Sequence, residues 1–151
     1  MEEYDLVSKI SIVPRGGAGG VTIFTPEEEA MESGMYTKQY LLNRICVGMG
    51  GRIAEEIING KEKVTTGASN DFQQVTNTAK MMVEQMGMSD VIGPRNVMGD
   101  PNMSPMMRAM GGGQDQGPDL QENIDNEVDR ILREQYQRGM DIITENKDIL
   151  D

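Results

Sequence analysis

Histidine is missing altogether from this chain, and tryptophan with it. Without an imidazole, no Ser-His-Asp or Cys-His nucleophilic arrangement is possible, and the chain cannot close a zinc site of the usual histidine-rich kind with its own residues. The single cysteine, Cys46, excludes an internal disulfide, which fits a reducing compartment. It lies in the apolar run Ile45-Cys46-Val47, the setting of a buried inert thiol. Aromatic residues make up only 4% of the chain, so the core must be built from aliphatic residues and from methionine, of which there are 14. Methionine packs adaptably and specifies shape poorly, so the core is expected to need partner surfaces to become rigid. Lysine and arginine are outnumbered, 14 against 25 acidic residues, and the net charge of -11 argues against a nucleic-acid footprint. No run reaches the roughly 18 apolar residues of a membrane-spanning helix. The acidic start Met1-Glu2-Glu3-Tyr4-Asp5 lacks the basic flank and apolar run of a signal peptide.

What is present fits one mainly helical domain with a small β-hairpin. Residues 7–13 read as a strand with Ile10 and Ile12 on one alternate face, and Val21–Phe24 as its partner across the glycine-rich loop Arg15–Gly20. That loop is no phosphate cradle, because no Gly-Lys-Ser/Thr follows it and a strand comes next. Thr25-Pro26-Glu27-Glu28 carries capping signals for a short helix ending near Ser33-Gly34. A helix through Tyr40, Leu41, Arg44, Ile45 and Gly48 follows, with Thr37 as its cap. Gly50-Gly51 should weaken or bend it or admit a second backbone, before it resumes over Arg52–Ile58. Ser69 or Asn70 caps a third helix, whose apolar stripe is Phe72, Val75, Ala79, Met82, Val83 and Met86. Gly93–Pro118, rich in Gly, Pro and Met, reads as a flexible loop. A long helix from about Leu120 to Leu150 buries Ile124, Val128, Ile131, Leu132, Tyr136, Met140 and Ile143, with Gly139 as an interruption. The resulting segmentation is 1–24 hairpin, 25–87 helical core, 93–118 loop and 119–151 acidic helix. Both ends look truncated, as in a fragment of a larger domain.

Three constellations invite chemistry. Asp71 lies in the first turn of a helix, where free N–H groups and the helix dipole favour a carboxylate. Stabilising the helix start accounts for it in full; a well-held carboxylate also suits a divalent cation, as one ligand of a site whose other ligands this chain does not possess. Glu55 and Glu56 are adjacent and point about 100° apart on a helix, so they cannot act on one bond as facing carboxylates do. One is expected to turn inward to an arginine or a helix end and the other to be solvated. The methionines Met98, Met103, Met106, Met107 and Met110 suggest a soft copper(I) site, but an unspecific segment explains them better.

Taken in order, Val7–Gly16 (VSKISIVPRG), Gly20–Pro26 (GVTIFTP), Gly50–Glu56 (GGRIAEE) and Val64–Asp71 (VTTGASND) resemble the peptidase domain of FtsH-type ATP-dependent zinc metalloproteases. Ala79–Met88, Ile92-Gly93-Pro94 and Ile124–Leu150 extend the resemblance over nearly the whole chain, and VTTGASNDFQQV is most similar to cyanobacterial and chloroplast members. The resemblance implies a mainly α metallopeptidase fold, zinc as cofactor, and ATP bound only by a separate ATPase module. It implies a hexameric ring of like subunits acting on unfolded or damaged proteins, chiefly of membranes. Attachment to a thylakoid, chloroplast or cyanobacterial-type membrane would come only through segments absent here. Matched by motif, Asp71 is the third zinc ligand, and the strand Val7, Ser8, Lys9, Ile10, Ser11, Ile12 and Val13 is the substrate-binding edge. The His-Glu-x-x-His helix of the family, with its glutamate base, has no counterpart in this sequence, so the chain alone is expected to be inactive. A catalytically inactive scaffold subunit of such rings is the alternative, and an unrelated acidic helical interaction domain a third reading. Without the zinc helix, apolar surface on the helices Tyr40–Met49 and Phe72–Met86 is expected to be exposed.

Overall fold

Valine, isoleucine and threonine favour extended backbone, and they supply four of the five residues of the segment VTIFT. In the computed structural model, which describes residues 5–13, 20–25, 35–98, 106 and 118–150, this segment forms β2 (Val21–Thr25), paired antiparallel with β1 (Leu6–Ser11). The register is irregular between Val7 and Lys9, a β-bulge at Ser8, whose hydroxyl donates to the Ile23 carbonyl at 3.0 Å. Directly opposed residues share a face. The bulge therefore puts Val7 and Ile10 on one face with Phe24 and Thr22, and Leu6, Lys9 and Ser11 on the other with Thr25, Ile23 and Val21. Ile12 lies beyond the strand end rather than on its face, and both it and Val13 are exposed. The short helix expected after Thr25 falls on residues 26–34, outside the described ones. The same holds for most of the glycine-rich loop and for 99–105 and 107–117 of the expected Gly93–Pro118 loop.

The chain divides into two compact units, Met1–Arg44 and Ile45–Asp151. In the first, Thr37 caps α1 (Lys38–Gly48) as its sequence predicts. Its hydroxyl accepts from the Tyr40 backbone N–H at 3.0 Å, and its carbonyl accepts from Leu41. Tyr36 stacks on Tyr40 with ring centroids 5.0 Å apart, and the Tyr40 hydroxyl donates to Asp5 at 2.5 Å. Burial, reinforced by that carboxylate, pushes the Tyr40 phenol up to about 12.

The second unit is a helical core. The end of α1 contributes Ile45 and Cys46, and Met49 follows at the break; α2 (Gly50–Asn59) contributes Ile53; and α3 (Ser69–Glu84) contributes Val75, Ala79, Met82 and Val83. Ile92 and Val97 from the following loop close one end. α4 (Pro118–Glu145) brings Ile124, Val128 and Ile131, packing on α2 and α3, and a last turn α5 (Lys147–Leu150) follows. At 28 residues α4 is about 42 Å long. The fold is thus mainly helical with a two-stranded sheet, as the sequence predicts.

Of the glycine expectations, the interruption of the helix beside Gly50-Gly51 is met, and two others are corrected. Gly50 and Gly51 do not admit a second backbone: a Cβ at either would meet nothing within 4 Å. The helix breaks one residue earlier, at Met49, and the glycines begin α2. Gly139 does not interrupt α4, which runs through it unbroken. It is instead a point of close approach, where a Cβ would lie 2.6 Å from Ile53 Cδ1 and 3.5 Å from Cys46 Sγ. The expected exposure of the α1 and α3 helices is also largely absent, since Tyr40, Leu41, Ile45, Met49, Val75, Met82 and Val83 are buried and only Val47, Met81 and Met86 stand out. The exposed apolar surface is concentrated on the hairpin, where Leu6, Val7, Ile10, Val21, Ile23 and Phe24 are all exposed.

Candidate functional site around Asp71

The segment Gly60–Ala68 carries too few apolar residues to pack by itself, so polar side chains must hold it. Gly60, at φ +84, ends α2 in a backbone region that glycine alone enters without strain, and its N–H donates to Glu56 O. A 3-10 turn, Lys61–Lys63, follows. Thr65 then meets Glu55. Its backbone N–H and its hydroxyl each donate to that carboxylate at 2.9 Å, one to each oxygen. The Thr65 hydroxyl also accepts from the Gly67 N–H at 3.2 Å, and the Thr65 carbonyl faces Arg52 Nη1 at 3.5 Å. The backbone bond from Thr65, and then the hydroxyl bond, hold the Glu55 carboxyl below the usual carboxylate range.

Two residues after Gly67 the chain enters α3. The cap position is Ala68, not Ser69 or Asn70, and no side chain caps the helix. Ser69 instead donates its hydroxyl and its N–H back to the Thr66 carbonyl, at 2.6 and 3.1 Å, which tightens the turn from outside the helix. Asp71 follows in the first turn with its side chain exposed, and no hydrogen bond or ion pair joins it to another described residue.

Glu56 is engaged elsewhere. It accepts from the Tyr136 hydroxyl on α4 at 2.5 Å and pairs with Lys61 at 3.4 Å, leaving its side chain 11% exposed. The Tyr136 bond holds its carboxyl low, while burial, helped by the same bond, pushes the Tyr136 phenol up. Both adjacent glutamates are therefore structural ties: Glu56 turns inward as expected, to a tyrosine rather than an arginine or a helix end, while Glu55 stays at the surface and holds a loop there. A third tie lies in the core, where the buried Glu127 accepts from Ser89 at 2.8 Å and from Arg130 at 2.9 and 3.1 Å. Ser89 Oγ in turn accepts from the Ile92 N–H.

Cys46 is buried, and burial pushes its thiol up, the opposite of an activated nucleophile. Of the methionine group only Met98 and Met106 are described. Met98 Sδ accepts from Gln85 Nε2 at 2.9 Å. Val7–Val13 covers β1 from its second residue and the two residues after it, and among the described residues β1 has a ladder partner on one edge only. Among the described residues no three His, Cys, Asp or Glu side chains gather as a metal site. The described residues therefore do not make up a metal site by themselves. Among the described residues no helix is long and apolar enough to cross a membrane. Sequence reasoning takes in Thr65 only as a member of the VTTGASND motif and gives it no contact of its own. It placed Tyr136 in the buried stripe without asking what its hydroxyl meets.

The chain matches the family model for Peptidase family M41 over residues 1–151. It is 48% identical to ATP-dependent zinc metalloprotease FtsH 3 of Synechocystis sp. over 151 residues, 100% of this chain and 24% of that protein. It is also 48% identical to the chloroplastic ATP-dependent zinc metalloprotease FTSH 1 of Arabidopsis thaliana, with 99% of this chain and 21% of that protein covered. Against ATP-dependent zinc metalloprotease FtsH of Trieres chinensis it is 39% identical, over 100% of this chain and 23% of that protein. The chain thus spans about a quarter or less of the curated relatives it matches.

Proposed function

The chain belongs to peptidase family M41, and from that membership we propose that it forms part of the proteolytic domain of an ATP-dependent zinc metalloendopeptidase. The observation that carries the proposal is the family match over the whole chain, together with Asp71 standing exposed in the first turn of α3, its side chain joined to no other described residue. In this reading Asp71 offers one carboxylate oxygen to zinc, with the helix start favouring its negative form. Two imidazoles and a carboxylate base come from residues outside this sequence, which contains no histidine. Zinc in such a site supplies Lewis acidity and an activated water. ATP is bound by a separate module, like subunits assemble as a hexameric ring, and the substrates are unfolded or damaged proteins, chiefly of thylakoid or cyanobacterial-type membranes. The edge of β1 that has no ladder partner among the described residues, with apolar side chains on both hairpin faces, suits an extended polypeptide adding as a further strand.

Two measurements test this. In the assembled protease, Asp71→Asn should lower the zinc content and abolish casein cleavage while the ring still forms; full zinc retention would overturn the ligand role. The purified 151-residue chain should neither bind zinc tightly nor cut casein, and doing either would show that the chain carries a complete site. Assembled rings that contain this chain, hold no zinc at its position and lose nothing on Asp71→Asn would instead support the inactive-scaffold reading.

A further inference from the structure

The ties of the loop before α3 converge on one residue. Thr65 has three polar groups, and all three are engaged: its N–H and hydroxyl hydrogen by the two oxygens of Glu55, its hydroxyl oxygen by the Gly67 N–H, and its carbonyl by Arg52. Glu55 stands on α2, which is anchored in the core through the fully buried Ile53 and tied to α4 through its neighbour Glu56. The chain from Thr65 to the start of α3 is four residues long. Within it Gly67 is bonded back to Thr65, and Ser69 is bonded twice to Thr66. α3 has no side-chain cap of its own. With Val75 the first buried residue of the helix, its first turn lies between that core anchor and the preceding loop, and the loop takes the part a local cap would play.

We propose that Glu55 and Thr65 form a clamp that positions Asp71, so that both are positioning residues for the carboxylate and neither touches the metal. The inference rests on the reading of Asp71 as a ligand. The argument is geometric: a rigid core helix presents two acceptors to one loop residue, that residue organises the turn, and the turn sets where α3 begins. A metal ligand tolerates displacement of only a few tenths of an ångström, so an unclamped loop would leave α3 folded but Asp71 poorly placed.

The test uses the full-length protein in its assembled form, with Thr65→Val, Thr65→Ser, Glu55→Gln and Asp71→Asn variants. Two quantities are read: amide hydrogen exchange of the peptide covering residues 64–72, and the rate at which zinc is lost to an excess of chelator. Removing the hydroxyl in Thr65→Val deletes two hydrogen bonds. This should speed exchange in that peptide about tenfold, with α4 peptides unchanged. Zinc loss should also quicken about tenfold, a typical effect of removing a residue that orients a metal ligand. Glu55→Gln should act in the same direction, and Thr65→Ser should restore both readouts, which a general loss of packing would not allow. Normal exchange and normal zinc retention in Thr65→Val would overturn the clamp. Should Asp71→Asn quicken zinc loss while Thr65→Val does not, the clamp fails and the ligand reading stands. Should Asp71→Asn leave zinc loss unchanged, the ligand reading itself fails, and the exchange result alone decides whether the clamp orders the loop.

Discussion

Replacing Gly139 by alanine sets two opposed effects against each other, and the structure decides between them. Alanine gains about 0.8–1.0 kcal/mol over glycine inside a helix, and Gly139 lies within the unbroken α4. The new Cβ, however, would stand 2.6 Å from Ile53 Cδ1, about 1 Å inside the usual carbon–carbon contact of 3.5–4.0 Å. Ile53 is 0% exposed, so its methyl cannot swing into solvent. Overpacking of this kind costs about 1–3 kcal/mol, which leaves Gly139→Ala about 1 kcal/mol less stable than the parent. Gly51→Ala is the control. Its Cβ meets nothing within 4 Å, so only the propensity gain remains, reduced to about 0.5 kcal/mol by its place in the first turn. Urea unfolding followed by circular dichroism should place the two variants on opposite sides of the parent. Ile53→Val, which removes the offending methyl, should cost about 0.5–1.5 kcal/mol alone and less in the Gly139→Ala background. A Gly139→Ala variant at least as stable as the parent, with strictly additive effects of Ile53→Val, would refute the reasoning.

Tyr136→Phe removes the hydroxyl that Glu56 accepts from and should cost about 1–2 kcal/mol at neutral pH. Because Glu56 is held low in the folded protein, that stability is complete above the ordinary glutamate value of about 4.3 and is lost as the pH falls through the folded value. Urea midpoints measured between pH 7 and pH 3 should therefore fall less steeply in Tyr136→Phe than in the parent; parallel curves would rule out the tie. Ser89→Ala removes one donor to the buried Glu127 and the acceptor of the Ile92 N–H, and should destabilise by about 1–3 kcal/mol, read by the same titration. Amide exchange in residues 89–97 should quicken in that variant before α4 is affected, and simultaneous change in both would show that the segment has no independent latch.

The parts of the fold that a sequence displays are those set by periodicity. Of the stripe Phe72, Val75, Ala79, Met82, Val83 and Met86, the four middle members are buried as their spacing predicts, while Phe72 is half-buried and Met86 lies exposed beyond the end of α3; Thr37 caps α1 because a threonine ahead of a helical run has few better partners. The misses have physical causes. Gly139 reads as a helix breaker because glycine has low propensity, and only the facing Ile53 shows why a side chain is excluded there. Glu127 is buried among Ile124, Val128 and Ile131 on the same face of α4, a position its spacing reveals but its charge argues against until Ser89 and Arg130 are seen around it. Of the candidate site, Asp71 is legible as a first-turn carboxylate. The Glu55–Thr65 tie is not, because it joins residues ten apart through a loop with no regular pattern.

The seclusion of Cys46 has a practical consequence for biophysical work on this molecule. The thiol is walled in by the α4 backbone at Gly139 and is disinclined to ionise, so maleimide dyes should pass it by while the protein stays folded. A cysteine introduced at an exposed position such as Gln137 would then be the lone reactive handle, and fluorophores or spin labels could be attached there without first stripping the native sulfur from the interior.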